Sequence, residues 1–279
     1  MPAVIACPRL VRTALAAEGL VVERVVALSG HGHSDTFRLD LAGGRRAKMR
    51  VYRDKVSAAR VERQLRESSV GVLPEVLVRV GRRLIVEHVE GTVLDSYLRA
   101  SPVERRRLVR ATGRLLARLH GGPSGVTVPV GLYQRVLSLA AGRFVRRRQM
   151  SRAEAARLAM LSRPARALAG LTHGDPAPEN LVLTASGRLR AIDEERVAVR
   201  PVAYDLARAI CRWPLDAVEE AALLAAYSAA GGPAREFRQY RRFWIASALA
   251  TSAVYRMRYR PGALGPIVAQ LRALANDED

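Results

Sequence analysis

The sequence predicts an α+β protein in two lobes, a small antiparallel β-sheet lobe over residues 1–90 and a larger, mainly helical lobe over residues 91–279. Two observations predict it. The first ninety residues alternate β-branched apolar runs with glycine turns, a period-two pattern. From Ser101 onward, capping signals and helical periodicity take over.

The elements follow in order. Met1 to Leu20 carries charges at helical spacing and lacks the basic-apolar-small order of a signal peptide. Val21 to Leu28 reads as a strand, and Ser29-Gly-His-Gly-His-Ser-Asp35 as a glycine-bearing turn. Thr36–Leu41 and Arg45–Tyr52 flank Gly43-Gly44 and read as a hairpin. Val56 to Ser69 reads as a helix, with Ala58, Val61 and Leu65 on its apolar face. Val76–Val80 and Arg83–Val89 flank Gly81-Arg82 as a second hairpin.

Ser101-Pro-Val-Glu104 is a capping box with proline at the first helical position, opening a helix that runs through His120. Ser151-Arg-Ala-Glu154 opens another, to about Leu161. Leu181–Leu183 and Leu189–Ile192 read as short strands about Ser186-Gly187. Helices are expected over Val202–Trp213, Ala217–Ala230 and Ala234–Tyr259, with a last one ending near Ala275 after Pro261-Gly262. No internal repeat is evident.

Composition narrows the function classes. Hydrophobic content of 49% is ample for a core, and no apolar run approaches the ~18 residues of a membrane span. Two cysteines far apart in sequence fit a reducing compartment, so a cytoplasmic location is expected. The net charge is +20, and only Lys48 and Lys55 are lysine. Such arginine enrichment reads first as a solvated surface. Attraction of an anionic substrate or peripheral contact with a membrane is less favoured, and nucleic-acid binding least. Aromatic residues are only 5%, so no stacking platform for single strands is evident and no nucleic-acid partner is expected. The clusters Arg146-Arg147-Arg148, Arg238/Arg241/Arg242 and Arg256/Arg258/Arg260 are read as solvated faces, scattered around the fold.

The chemistry concentrates in Leu171-Thr-His-Gly-Asp-Pro-Ala-Pro-Glu-Asn-Leu-Val-Leu183, followed by Ile192-Asp193. This H-G-D-x-x-x-x-N…D spacing is what a phosphoryl-transfer loop needs. One carboxylate receives the proton of an attacking hydroxyl, and an amide and a second carboxylate hold magnesium. The H-G-D-x-x-x-x-N string arises by chance on the order of once in a thousand chains of this length. Asp175 is the expected base, and Asn180 and Asp193 the expected metal ligands. A turn or helix cap would explain Asp175 and Asn180 singly but not their spacing.

Lys48 lies in a predicted strand from which it can reach nucleotide phosphates. Glu62 on the following helix is its expected carboxylate partner, with Glu67 second. Its alternative is a solvated strand lysine, which its survival among arginines argues against. Gly30, Gly32 and Ser34 fit a flap over the phosphates, although a lone G-x-G is weak and a plain turn is the bland alternative. Backbone groups of Glu87 and Val89, at the end of an apolar strand, are expected to hold the base. Asp205 and His120 are read as structural, Asp205 bracing the catalytic loop.

These features resemble the aminoglycoside phosphotransferase and choline kinase superfamily, the small-molecule branch of the protein-kinase-like fold. The resemblance rests on His173-Gly-Asp175 with Asn180, on Ile192-Asp-Glu-Glu195, on Tyr204-Asp-Leu-Ala207, on Val89-Glu-Gly91 and on Leu115-Leu-Ala-Arg-Leu-His120. It spans nearly the whole chain. Pro176, Glu179 and Val199-Arg-Pro-Val202 depart from the usual pattern. The resemblance implies ATP or GTP, Mg2+ and a small-molecule hydroxyl acceptor such as an antibiotic, a sugar or an amino alcohol. Asp175 is then the base, Asn180 and Asp193 the metal ligands and Lys48 the phosphate lysine. The alternatives are a kinase of an anionic lipid-linked sugar, such as lipopolysaccharide core, and a nucleotide-binding pseudokinase acting as an interaction module.

Overall fold

A computed structural model describes residues 4–28, 35–68, 71–99, 101–121, 125–213 and 215–277. The chain forms two compact units. One comprises Met1–Ser96 with Glu179–Ala198, the other Tyr97–Pro178 with Val199–Asp279. This division differs from the single boundary expected at residue 90. A segment distant in sequence joins the first unit through hydrogen bonds of its own backbone.

The first unit is built on a six-stranded antiparallel sheet in the order β1, β2, β3, β4, β6, β5. Its strands are β1 (Val4–Ile5), β2 (Val22–Leu28), β3 (Asp35–Leu41), β4 (Arg46–Val51), β5 (Val76–Val80) and β6 (Arg83–Glu87). Helix α1 (Arg9–Ala17) buries Val11 and Leu15 against Leu39, Leu41, Met49 and Ile85. Helix α2 (Lys55–Arg66) is capped by Asp54, whose side chain accepts the Ser57 amide.

A second small sheet in this unit orders β11, β10, β7, where β7 is Thr92–Val93, β10 is Leu181–Leu183 and β11 is Leu189–Ala191. Val182 pairs with Val93 and Leu183 with Thr92. Gly91 makes this possible. A Cβ there would lie 2.3 Å from the Leu183 carbonyl oxygen, so a larger residue would push the strands apart. The Ala191 amide also donates to the Val72 carbonyl at 2.9 Å.

The second unit is mainly helical. Its helices are α3 (Pro102–His120), α4 (Gly131–Arg146), α5 (Arg152–Ala159), α6 (Val202–Arg212), α7 (Ala217–Ala229), α8 (Arg235–Gln239), α9 (Arg241–Tyr259) and α10 (Gly265–Asn276). Helix α3 packs on α7, while α9 packs on α4, α6 and α10. Phe144, Trp213, Tyr227, Phe237, Phe243 and Trp244 fill the interior. The helix expected over Ala234–Tyr259 is broken at Tyr240, whose ψ of 30° ends α8 before α9 begins. A three-stranded sheet orders β12 (Ala198–Pro201), β9 (Arg166–Thr172) and β8 (Thr127–Pro129). Strand β9 leads directly into His173 and sets the start of the loop that carries Asp175.

Candidate active site

In the second unit the geometry begins with a backbone requirement. Gly174 adopts φ +83°, a left-handed conformation that a Cβ disfavours. The loop is held from below by Asp205, which is fully buried on α6. One carboxylate oxygen accepts the Gly174 amide at 2.8 Å, the other the His173 amide at 2.9 Å. The second oxygen also receives His120 Nε2 at 3.1 Å, where the ring nitrogen must donate because an ionised carboxylate only accepts. His120 Nδ1 lies 2.8 Å from the Tyr227 hydroxyl. Burial opposes the charge on Asp205, but His120 and the loop amides outweigh it and hold the carboxyl below its ordinary range. Trp213 Nε1 donates to the Pro176 carbonyl at 3.1 Å and fixes the loop beyond Asp175.

Asp175 itself is partly exposed and faces two guanidiniums of α6. Arg208 Nη2 donates to Oδ1 at 2.5 Å, and Arg212 Nε lies 3.3 Å from the same oxygen. Arg208 is almost wholly buried and also donates to the Ser252 hydroxyl. Asp205, Arg208 and Arg212 stand at i, i+3 and i+7, one stripe of the helix. That spacing was the available signal for the two arginines.

In the first unit a cavity of about 430 Å³ is lined by Lys48, Glu87, Val89, Asn180 and Asp193, with Arg50. Residues from four separated stretches of sequence thus converge. Lys48 and Arg50 share one face of β4, while Ala47 and Met49 enter the core from the other. Lys48 Nζ donates to Glu194 Oε2 at 3.0 Å. Arg50 donates to Glu195 Oε2 at 3.0 Å and also pairs with Asp193. Glu194 is fully buried; burial opposes its charge, yet Lys48 and Arg50 hold it ionised, below the usual carboxylate range. Burial likewise opposes the charge on Arg50, and the three carboxylates overcome it.

Glu62 stands elsewhere than expected. Its carboxylate pairs with Arg79 of β5 and with Arg66 one turn along α2, at 3.1 Å from the latter. Two guanidiniums nearer to it satisfy its charge, and Lys48 takes the buried Glu194 instead. The Glu87 side chain also does more than expected. It forms two bonds to Arg190, at 2.5 and 2.8 Å, and Arg190 also donates to the Leu73 carbonyl. This clasp ties the end of β6 to the β10–β11 hairpin. Gly30, Gly32 and Ser34 lie outside the described residues.

Sequence reasoning missed Arg50, and it named Glu194 and Glu195 only within the Ile192-Asp-Glu-Glu195 motif, without their pairing to Lys48 and Arg50. The period of two along β4 pointed to Arg50, but arginine is so frequent in this chain that it carried no contrast.

Asp193 adopts φ +69°, ψ +57°, a conformation uncommon outside glycine and asparagine. It sits where β11 turns into the segment bearing Glu194 and Glu195. The Ile192 amide donates to the Asn180 carbonyl at 2.8 Å, which anchors the loop carrying Asn180 to the strand end carrying Asp193. Among the described residues no group of three or more His, Cys, Asp or Glu side chains could hold a metal by itself. One carboxylate and one amide in the same cavity suit a hard cation that draws its remaining oxygens from phosphates and water.

The fold is shared with solved proteins. A macrolide 2'-phosphotransferase type I superposes with a TM-score of 0.64 at 18% identity, covering 96% of each chain. Choline kinase from Cryptosporidium parvum gives 0.60 at 14% identity, covering 90% of this chain and 87% of that one. LicA in complex with AMP gives 0.58 at 14% identity, covering 96% and 98%. These likenesses establish a protein-kinase-like fold. No curated protein sequence matches the chain. The model of the phosphotransferase enzyme family matches residues 24–243, most of the chain, and the protein belongs to that family.

Proposed function

We propose that the protein transfers the γ-phosphoryl group of ATP to a hydroxyl of a small molecule. The observation that carries this reading is the cavity that gathers Lys48, Asn180, Asp193, Glu87 and Val89 from distant parts of the sequence. Family membership supplies the reaction class, and a solved relative of the same fold was captured with AMP.

Each residue then has a task. Lys48, steadied by Glu194, presents an ammonium to the nucleotide phosphates. Asp193 and Asn180 offer oxygens to Mg2+, which when bound neutralises charge on the phosphates. Arg50 pairs with the Asp193 carboxylate and orients it. Asp175 orients the acceptor hydroxyl and takes its proton, while Asp205 fixes the Asp175 loop by accepting two of its amides.

The test is ATP consumption against a panel of hydroxyl compounds, with Asp175→Asn as control. Consumption that depends on an acceptor and is lost in Asp175→Asn supports the proposal. Consumption equal in the two proteins would sink it.

A further inference from the structure

The guanidinium of Arg50 sits on the carboxylate that the proposed metal needs. Arg50 rises from β4, which is paired on both sides here, to Thr36 of β3 and to Leu84 of β6. Its side chain is almost wholly buried. Two of its nitrogens reach two different carboxylates. Nη1 donates to Glu195 Oε2 at 3.0 Å, and Nη2 donates to Asp193 Oδ1. Its Nε lies 3.9 Å from Glu194 Oε1, so one guanidinium is within ion-pair reach of three consecutive carboxylates. Lys48, two residues back on the same face, donates to Glu194. Lys48, Arg50, Asn180 and Asp193 all line one cavity.

A guanidinium and a divalent ion compete for the same carboxylate. If the ion takes the oxygen that Arg50 holds, that bond must break. If it takes the other oxygen, two cations stand side by side where burial weakens the screening between them. Arg50 weakens the hold on the metal in both cases. It cannot yield by losing a proton, because arginine stays charged in proteins. A nucleotide changes the balance. Its phosphates bring several negative charges, which offset the crowding of cations and offer Arg50 new acceptor oxygens. We propose that Arg50 is a built-in competitor for the metal at Asp193, so that Mg2+ enters with the nucleotide and hardly binds alone. This rests on the phosphotransferase reading above and adds to it a rule for how the site is filled. An arginine that merely braced the Asp193 turn would leave metal affinity unchanged.

Metal binding without nucleotide tests it. Mn2+ suits the same oxygen ligands as Mg2+, and its free concentration is read by electron paramagnetic resonance. The proteins are wild type, Arg50→Gln, Arg50→Lys, Arg50→Gln combined with Asp193→Ala, and Arg147→Gln as the same charge change at an exposed position. Arg50→Gln should bind Mn2+ alone at least about tenfold more tightly than wild type, because oxygen sites are tuned by their net charge. Millimolar magnesium without nucleotide should then raise the Tm of Arg50→Gln and leave that of wild type unchanged. Arg147→Gln should match wild type. Adding Asp193→Ala to Arg50→Gln should abolish the gain, which locates the metal at Asp193. Mn2+ affinity of Arg50→Gln within about twofold of wild type, undetectable binding by it, or a gain that survives loss of Asp193 overturns the proposal. If circular dichroism shows that Arg50→Gln does not fold, Arg50→Lys decides. An ammonium is a compact point charge and cannot span Asp193 and Glu195 through two nitrogens, so this variant should bind Mn2+ at least about threefold more tightly than wild type. Affinity equal to wild type or weaker overturns the proposal. Failure of the underlying reading has another signature: no binding of ATP with magnesium, or ATP consumption indifferent to Asp175→Asn. Neither result alters the comparison of metal affinities.

Discussion

Asp175 and Glu194 are both carboxylates held by cations, yet their environments give them different work. Asp175 is partly exposed at the end of a braced loop, where a substrate can reach it. Glu194 is fully buried between Lys48 and Arg50 and meets no solvent. Asp175→Asn should therefore lower turnover by about 10²–10⁴, the usual worth of a general base, while ATP affinity measured by titration stays within a few-fold. Near-normal turnover would remove Asp175 from the mechanism. Glu194→Ala should release Lys48 and also act on stability. It leaves the Lys48 ammonium and the Arg50 guanidinium without their shared buried partner, and breaking such a pair costs about 3–5 kcal/mol. Urea unfolding would show it, and a loss below about 1 kcal/mol would mean that the pair is easily replaced by water. The folded Glu194 titrates below its unfolded value of 4.5, so its contribution is present above that pH and declines as pH falls beneath it.

At the scale of elements, local signals were the most legible. The Ser151–Glu154 box closes as its sequence implies, with Ser151 Oγ accepting the Glu154 amide and Glu154 accepting the Ser151 amide at 2.7 Å. The two hairpins and the capped α3 were likewise written in turn and capping residues. Pairings between distant segments were not. Nothing in Glu62 or Glu194 alone says which one Lys48 will choose, because each is simply a carboxylate near a helical turn. The choice depends on where Arg79 and β11 come to lie. The same limit hid β1 and β9, whose short apolar stretches have no period of their own. Glu154 also gives α5 a pH signature. Arg272 first, then the Ser151 amide, hold its carboxyl down at about 2 against 4.5 in the unfolded chain. Its contribution is complete above pH 4.5 and is lost as pH falls toward 2. Wild type should thus exceed Glu154→Gln in urea midpoint near pH 7, and the gap should narrow by pH 3. A gap independent of pH would mean that shape, not charge, holds this cap.

For the whole molecule, the proposed metal and nucleotide would act together on stability. Two protein oxygens are too few to bind magnesium tightly alone. Magnesium without nucleotide should therefore leave Tm unchanged, whereas magnesium with ATP at a hundredfold its Kd should stabilise by about 2.7 kcal/mol. Asp193→Ala should erase the magnesium dependence, and a shift with magnesium alone would point to a different metal site. The charge of +20 then has two parts. One is the pair Arg208 and Arg212, which are largely buried and meet the Asp175 carboxylate. The other is typified by Arg146, Arg147 and Arg148, all exposed at the end of α4. Exposed charges are screened over ~8 Å at physiological ionic strength and contribute little to folding. Changing all three to Gln should lower the salt needed to elute the protein from heparin, because fewer counterions are released on binding a polyanion. Surface changes of this kind usually stay within about 0.5 kcal/mol each, so Tm and turnover should hardly move. Loss of turnover in the triple variant would instead show that the end of α4 touches a ligand, and the arginine excess there could no longer be ascribed to the solvated surface.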